Sequence, residues 1–161
     1  MKTTLLTLSW FGMALGFASP ASAGVVASGG QDIIVPTLSY THSGGNISPA
    51  GNPIQCTVYT TGRVTLQIGD QAPLARNLVF SSAIPSLDEA MVLLGQAAHS
   101  RLKPTSGSLP DAGSSRYSGQ LGRAQGYKKV LLWDTSFLRA RINDSNAAKS
   151  LIEFLDLNCS P

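Results

Sequence analysis

The chain is poor in charge, in histidine and in cysteine. Only 13% of its 161 residues are charged, and 12 basic residues stand against 9 acidic ones. Such a small positive excess does not itself imply a nucleic-acid partner. Two histidines and two cysteines give no recognisable spacing of metal ligands. From the sequence we therefore assign no metal, no cofactor and no catalytic residue, and we expect no nucleic-acid partner.

No apolar run is long enough to span a membrane comfortably. The run Leu5–Phe17 follows the positive charge of Lys2 and precedes small residues that end at Ala23. This arrangement is typical of a cleavable secretory signal, with the cut before Gly24. We therefore expect residues 1–23 to be removed, the mature protein to be secreted or periplasmic, and no membrane span.

Two cysteines in an exported chain most simply form one disulfide. Cys56 and Cys159 are 103 positions apart, so the bond would close a long loop. The chain-entropy model gives such a closure about 4 to 5 kcal/mol, usually as an upper limit. The alternative is two free thiols or a catalytic thiol, which an oxidising compartment disfavours.

A β-hairpin over residues 54–68 organises the rest of the chain. Apolar and polar side chains alternate along it, which predicts one face toward a core and one toward solvent. The preceding residues 24–53 are rich in glycine and proline, and we expect them to be extended and loosely held. Within them, Asp32–Val35 and Leu38–Tyr40 are short strand candidates, and Pro36 between them favours an edge position or no sheet at all.

Two amphipathic helices are predicted after the hairpin. The first begins after Ser86, which forms a capping box with Glu89. It should end near Leu102, because a proline two residues later disfavours helical geometry just before it. The second helix is capped by Asp144 or Ser145 and ends just before the second cysteine.

Further strand candidates flank these helices. They are Arg76–Ser81, Lys128–Trp133 and Phe137–Ile142. Residues 103–127 are predicted to form a long irregular loop, a feature that is usually functional or disordered. The order β-β-β-α-β-β-α then predicts a single α+β domain over residues 54–161. Its antiparallel sheet would carry both helices packed on one face.

Basic and aromatic side chains concentrate in the long loop and in the strands that follow it. Arginine with aromatic residues is favoured at protein contacts and can also bind anionic groups. We therefore expect another protein or an anionic glycan as the partner. The alternative is a solvated polar face of the sheet. The predicted contact surface consists of Arg116, Tyr117, Arg123, Lys129, Trp133, Arg139 and Arg141.

These features favour a secreted or periplasmic non-enzymatic binding module, such as an inhibitor or a toxin-neutralising protein. Binding sites are commonly formed by a loop on a rigid scaffold, here one held by a disulfide. The alternative is a small secreted hydrolase with an unrecognised active site. Catalytic partners come from separate parts of a fold. A pocket that gathers His42 or His99 with a carboxylate and a serine would therefore favour the hydrolase.

Three Asn-x-Ser triplets, at Asn46, Asn143 and Asn158, fit the pattern of glycosylation acceptors. They matter only if the host glycosylates its secreted proteins. The short signal led by a lysine is more typical of bacteria, so we expect the three triplets to be unused.

Overall fold

The hairpin around Cys56 is part of a larger sheet in the computed structural model of the chain. The structure describes residues 36–44, 52–105, 113–122, 128–136 and 140–161. These residues form strands paired antiparallel throughout, two helices and one disulfide, as expected for an α+β protein. The elements in chain order are β1 Pro36–Ser43, β2 Ile54–Tyr59, β3 Arg63–Ile68, β4 Leu74–Asn77, α1 Leu87–Ala97, β5 Leu102–Pro104, β6 Ser114–Leu121, β7 Lys128–Asp134, β8 Arg141–Asn143 and α2 Asn146–Cys159.

The described residues place eight strands in one sheet, in the spatial order β4-β3-β2-β1-β6-β7-β8-β5. The predicted order β-β-β-α-β-β-α is therefore wrong, because it omits β1, β5 and β6. Two predicted strands are also displaced along the chain. Strand β4 begins earlier than Arg76–Ser81, and β8 begins later than Phe137–Ile142. The predicted signal, residues 1–23, lies outside the described residues.

Strand β1 lies at the centre of the sheet, so the expectation of an edge position for the segment at Pro36 is wrong. It pairs with β2 on one side and with β6 on the other. Pro36 is tolerated because it is the first residue of the strand. The register with β2 also shifts between Pro36 and Leu38. A proline at a strand start or an irregularity removes no regular ladder bond.

Strand β6 replaces part of the predicted loop over residues 103–127. Its sequence is rich in serine and contains Gly119, a composition that is depleted in strands. The strand is held instead by pairing on both sides, with β1 and with β7. Serine hydroxyls support the first pairing, since Ser39 and Ser118 lie 2.9 Å apart and Ser43 and Ser114 3.0 Å apart.

Both helices cover the same face of the sheet. They contact each other, and each contacts β7. Leu94 of α1 lies above Gly119, and Cys159 of α2 is bonded to Cys56 of β2. Alternation along the strands places Gly119 and Tyr117 on one side, and Tyr117 reaches α2. The core between the layers includes Leu38, Val58, Val64, Leu94, Leu132, Leu151, Phe154 and Leu155.

The helix starts follow the predicted caps. The Ser86 hydroxyl accepts a hydrogen bond from the Glu89 amide at 3.1 Å, which satisfies one of the free N–H groups of α1. Of the two predicted caps for α2, Ser145 is the one used, and it accepts from the Ala148 amide at 3.2 Å. Neither helix in the described ranges is long and apolar enough to cross a membrane.

The predicted end of α1 near Leu102 is wrong, because the helix ends at Ala97. Leu102 instead begins β5 and pairs with Asn143 of β8. The Asn143 amide also donates to the carbonyl of Ala97 at 2.8 Å. That buried side chain thus satisfies a carbonyl that the helix leaves without an internal partner.

Two of the three glycosylation triplets are closed to modification in the folded state. Asn143 is 1% exposed and Asn158 is 5% exposed. The Asn158 side chain accepts from the Val79 amide and donates to the carbonyls of Val79 and Phe154. The side chains of Asn143 and Asn158 therefore join separate segments of the chain by hydrogen bonds. Asn46 lies outside the described residues.

The predicted disulfide between Cys56 and Cys159 is confirmed. The two Cα atoms are 5.6 Å apart, and both residues are buried. Cys159 is the last residue of α2 and does not follow it. The bond fixes the end of this helix to the second strand of the sheet.

Removing the disulfide by changing both Cys56 and Cys159 to alanine should lower the free energy of unfolding by about 2 to 5 kcal/mol. The reason is that the reduced chain gains freedom in the unfolded state and the end of α2 loses its attachment. Chemical denaturation measures the difference. Leu157→Ala, in the same helical turn but exposed, is the control and should change stability by less than about 0.5 kcal/mol. Equal stability of the double variant and the oxidised protein would contradict this expectation.

Gly119 allows α1 to approach β6 closely. A Cβ atom there would lie 2.4 Å and 2.6 Å from the two terminal methyl groups of Leu94. Gly119→Ala should therefore destabilise the protein by about 1 to 3 kcal/mol through overpacking. Gly95→Ala is the matched control. Its added Cβ meets nothing within 4 Å, and alanine in a helix should stabilise by about 0.5 to 1 kcal/mol. Denaturation curves in which both variants shift in the same direction would refute the packing argument.

Candidate functional site

The predicted contact surface is divided between the two faces of the sheet. Tyr117 and Trp133 lie side by side on the face that carries the helices, and Tyr117 is only 6% exposed. Arg116 and Lys129 alternate with buried residues and therefore project from the opposite face. Arg141, on β8, is also exposed. The remaining two members, Arg123 and Arg139, lie outside the described residues.

Arg116 is engaged within the fold. Its Nη2 and Nε atoms donate to the Asp134 carboxylate at 2.7 Å and 3.1 Å. Burial raises the pKa of Asp134, but hydrogen bonds from Ser136 and Arg116 outweigh it and leave the pKa below its usual value. This pair joins β6 to β7, and Asp134 offsets the charge of Arg116.

A pocket of about 410 Å³ lies on the helix side of the sheet, where β1 and β7 end and β6 begins. The C-terminal turn of α2 and the residues after it form its outer wall. Three aromatic rings, several hydroxyl groups and one carboxylate converge there. The lining residues are Tyr40, Ile54, Gly113, Ser115, Tyr117, Trp133, Thr135, Asp156, Cys159, Ser160 and Pro161.

Three rings on neighbouring strands form a row in the pocket wall. Tyr40 of β1 is the cross-strand partner of Tyr117 of β6, which in turn pairs with Trp133 of β7. The ring centroids are 4.7 Å apart in the first pair and 5.7 Å apart in the second. The second pair is nearly parallel, with an interplanar angle of 13°. Contacts of this kind stabilise the wall beyond simple burial of area.

Below the rings, polar groups form a row that we call the polar chain. The Tyr117 hydroxyl donates to Oδ1 of Asp156 at 2.7 Å. The Ser115 hydroxyl lies 2.8 Å from Nδ1 of His42. Tyr40 stands between these two hydrogen-bonded pairs, beside Tyr117 and Ser115. The polar chain is thus His42–Ser115–Tyr40–Tyr117–Asp156, and it links β1, β6 and α2.

The strand register explains why these five groups meet. Tyr40 and His42 are two residues apart on β1, so both point to the helix side. Their cross-strand partners on β6 are Tyr117 and Ser115. The beginning of β6 is held in place by Thr135, whose hydroxyl accepts from the Ser115 amide at 2.7 Å. The pairing of two strands therefore builds four of the five members of the chain.

The direction of one hydrogen bond follows from the carboxylate. An ionised Asp156 can only accept, so the single hydroxyl proton of Tyr117 is used there. Between Ser115 and Nδ1 of His42, the tautomer of the imidazole decides which atom donates. Nε2 of His42 is buried and has no hydrogen-bond partner in the described part of the chain.

The titration behaviour of the chain reflects its apolar surroundings. Burial raises the pKa of both tyrosines, and the nearby Asp156 charge raises that of Tyr117 further. Burial also raises the pKa of Asp156, and the charge of Glu153, one turn earlier on α2, adds to this effect. Asp156 is nevertheless exposed, so its carboxylate stands at the rim of the pocket.

Asp156→Asn should preserve the hydrogen bond from Tyr117, because the amide oxygen also accepts. At pH 7 its free energy of unfolding should stay within about 0.5 kcal/mol of the wild type. Asp156→Ala leaves the Tyr117 hydroxyl without this partner and should destabilise by about 1 to 2 kcal/mol. Chemical denaturation of both variants measures the contrast. Equal losses in the two variants would contradict the assigned hydrogen bond.

The pH dependence of the same pair has a defined sign. Since the folded protein raises the pKa of Asp156, this carboxyl favours the folded state at low pH and loses that contribution as pH rises through the folded pKa. The Asn variant lacks this titration. Its stability relative to the wild type should therefore rise between about pH 4 and pH 7.

Sequence reasoning placed Tyr117 and Trp133 in a functional surface but missed Tyr40, Ser115 and Asp156. A signal was present in the alternation of apolar and aromatic residues from Leu38 to His42 and from Ser115 to Gly119. It could be used only once both segments were known to be strands. His99, the other histidine considered, is exposed and does not line the pocket.

Comparisons of the chain with protein-family models, with curated proteins and with solved structures found no match in any of the three. Within the described ranges, no group of three or more His, Cys, Asp or Glu residues could hold a metal ion. The candidate site is therefore inferred from the geometry of the pocket alone.

Proposed function

We propose that the chain is a secreted or periplasmic non-enzymatic binding module and that the pocket is its ligand site. One observation carries this proposal. A cavity of about 410 Å³ combines Tyr40, Tyr117 and Trp133 with a carboxylate and hydroxyl groups at its wall. Ligand sites are typically concave and mostly apolar, with a few convergent polar groups that fix the orientation of the ligand.

The construction of the pocket supports binding without large rearrangement. The three rings contact one another in a row, and two hydrogen bonds below them hold Tyr117 to Asp156 and Ser115 to His42. The disulfide fixes Cys159, a lining residue, to the sheet. A preformed site avoids the entropic cost of ordering side chains when the ligand arrives.

The disulfide also supports an extracytoplasmic location, because such bonds form and persist in oxidising compartments. Cleavage of residues 1–23 before Gly24 remains part of this proposal. An inhibitory or toxin-neutralising role fits the same class, in which a rigid scaffold presents one site to a partner.

Another protein or an anionic glycan remains the proposed macromolecular partner. Lys129 and Arg141 are exposed and are the described basic residues that we propose to contact it. Tyr117 and Trp133 belong to the pocket, and Arg116 is bound to Asp134. The charge of Arg116 would therefore contribute less to this contact than the sequence suggested.

A second candidate function, a small secreted hydrolase, is favoured by one contact. Ser115 lines the pocket and lies 2.8 Å from Nδ1 of His42, with Asp156 in the same pocket. Two features weigh against it. His42 is 1% exposed and does not line the pocket, although a general base must lie close to the reacting groups. Asp156 bonds to Tyr117, so it does not orient the imidazole.

Tryptophan fluorescence can test the pocket directly. The chain has two tryptophans, and Trp10 lies in the segment proposed to be cleaved, so Trp133 is the only one in residues 24–161. We expect the emission of Trp133 to change when this mature chain is titrated with a panel of small probes. The panel comprises glucose, N-acetylglucosamine, N-acetyl-arginine amide, N-acetyl-citrulline amide and acetate. NMR signals of Tyr40 and Tyr117 should move with it, while those of the β3–β4 segment stay fixed.

Failure of every probe to shift the Trp133 signal would contradict a ligand site in the pocket. The same protein treated with a fluorophosphonate separates the two candidate functions. A binding module leaves Ser115 unlabelled. Labelling that disappears in Ser115→Ala would instead establish a reactive serine and favour the hydrolase.

A further inference from the structure

The charge lining the pocket has one sign. Of the eleven described residues that line the pocket, Asp156 is the only one with a side chain that is charged at neutral pH. Among the described residues, neither lysine nor arginine lines the pocket, although the chain carries more basic than acidic residues. Glu153, on the same helix, adds a second negative charge close to Asp156.

The carboxylate of Asp156 is available to a ligand. Its hydrogen-bond partner among the described residues is Tyr117, which donates to Oδ1. No described cation forms an ion pair with it, whereas Asp134 and Asp144 are each paired with a basic side chain. Because Asp156 is also exposed, its second oxygen can accept from a group that enters the pocket mouth.

The aromatic rings favour the same kind of ligand. The face of a tyrosine or tryptophan ring is electron-rich and attracts a cation placed over it. Tyr40, Tyr117 and Trp133 form one row in the wall. The hydroxyl of Tyr117, the central ring, donates to Asp156. Tyr40 and Tyr117 are each less than a tenth exposed, whereas Trp133 is half-buried. A cation in the pocket would thus meet the carboxylate and the ring of Trp133.

We propose that the pocket selects a positively charged nitrogen group, an ammonium or a guanidinium. The group can be carried by a small amine or by a lysine or arginine side chain, and both sources supply the same chemistry. This inference rests on the proposed function and specifies its ligand class. A cavity of about 410 Å³ has room for a group of this size.

The pocket differs in the sign of its charge from the basic part of the predicted contact surface, Lys129 and Arg141. Lys129 is exposed on the opposite face of the sheet and suits an anion, whereas Asp156 repels one. The polar groups in the pocket wall could also hydrogen-bond to a neutral sugar. Charge selection is therefore the property that the experiment must isolate.

Two probes of the same shape isolate the charge. N-acetyl-arginine amide carries a guanidinium, and N-acetyl-citrulline amide replaces it by a neutral urea group. We expect the arginine probe to bind the mature chain, residues 24–161, about tenfold more tightly than the citrulline probe, measured through Trp133 emission. In Asp156→Asn this preference should fall to less than about threefold. Asp70→Asn, which removes an exposed carboxylate that does not line the pocket, should retain it.

The outcomes separate this inference from the proposed function. If citrulline and arginine probes bind equally well, or if only the neutral sugars bind, charge selection is wrong and the pocket remains a ligand site. If no probe in the panel changes the Trp133 signal, both proposals fail. Persistence of the arginine preference in Asp156→Asn would also overturn the inference, because the carboxylate would then not be its source.

Discussion

The pairing of β1 with β6 is the constraint on which the rest of the sheet depends. In the spatial order of the strands, this is the one junction between the first four strands and the last four. The same junction places Tyr40 opposite Tyr117 and His42 opposite Ser115. A shift of one residue would turn these side chains to the other face of the sheet and dismantle the pocket. The fold and the candidate site therefore both require the same pairing register between β1 and β6.

The features predicted correctly are those with local signals. The hairpin at Cys56 is marked by alternation, and the caps at Ser86 and Ser145 act within three residues of themselves. The disulfide followed from a count of two cysteines in a chain expected to be exported. Each of these signals can be read without knowing which distant segment lies nearby.

The features missed are those decided by distant contacts. Strand β6 has weak intrinsic preference for a strand, and its two neighbours supply the pairing that its sequence does not indicate. Proline is disfavoured inside a central strand, but Pro36 is tolerated because it is the first residue of β1. No local pattern in the sequence marks Asp156, and only the packing of α2 on the sheet brings it to Tyr117.

The position of Cys159 in the pocket wall has a consequence for the timing of maturation. Cys56 is synthesised 103 residues before Cys159, so the bond between them can close only after every described strand has been made. A chain kept in a reducing environment would hold this part of the pocket wall by packing alone. Oxidation thus adds a covalent attachment between the end of α2 and β2 that the newly made chain lacks.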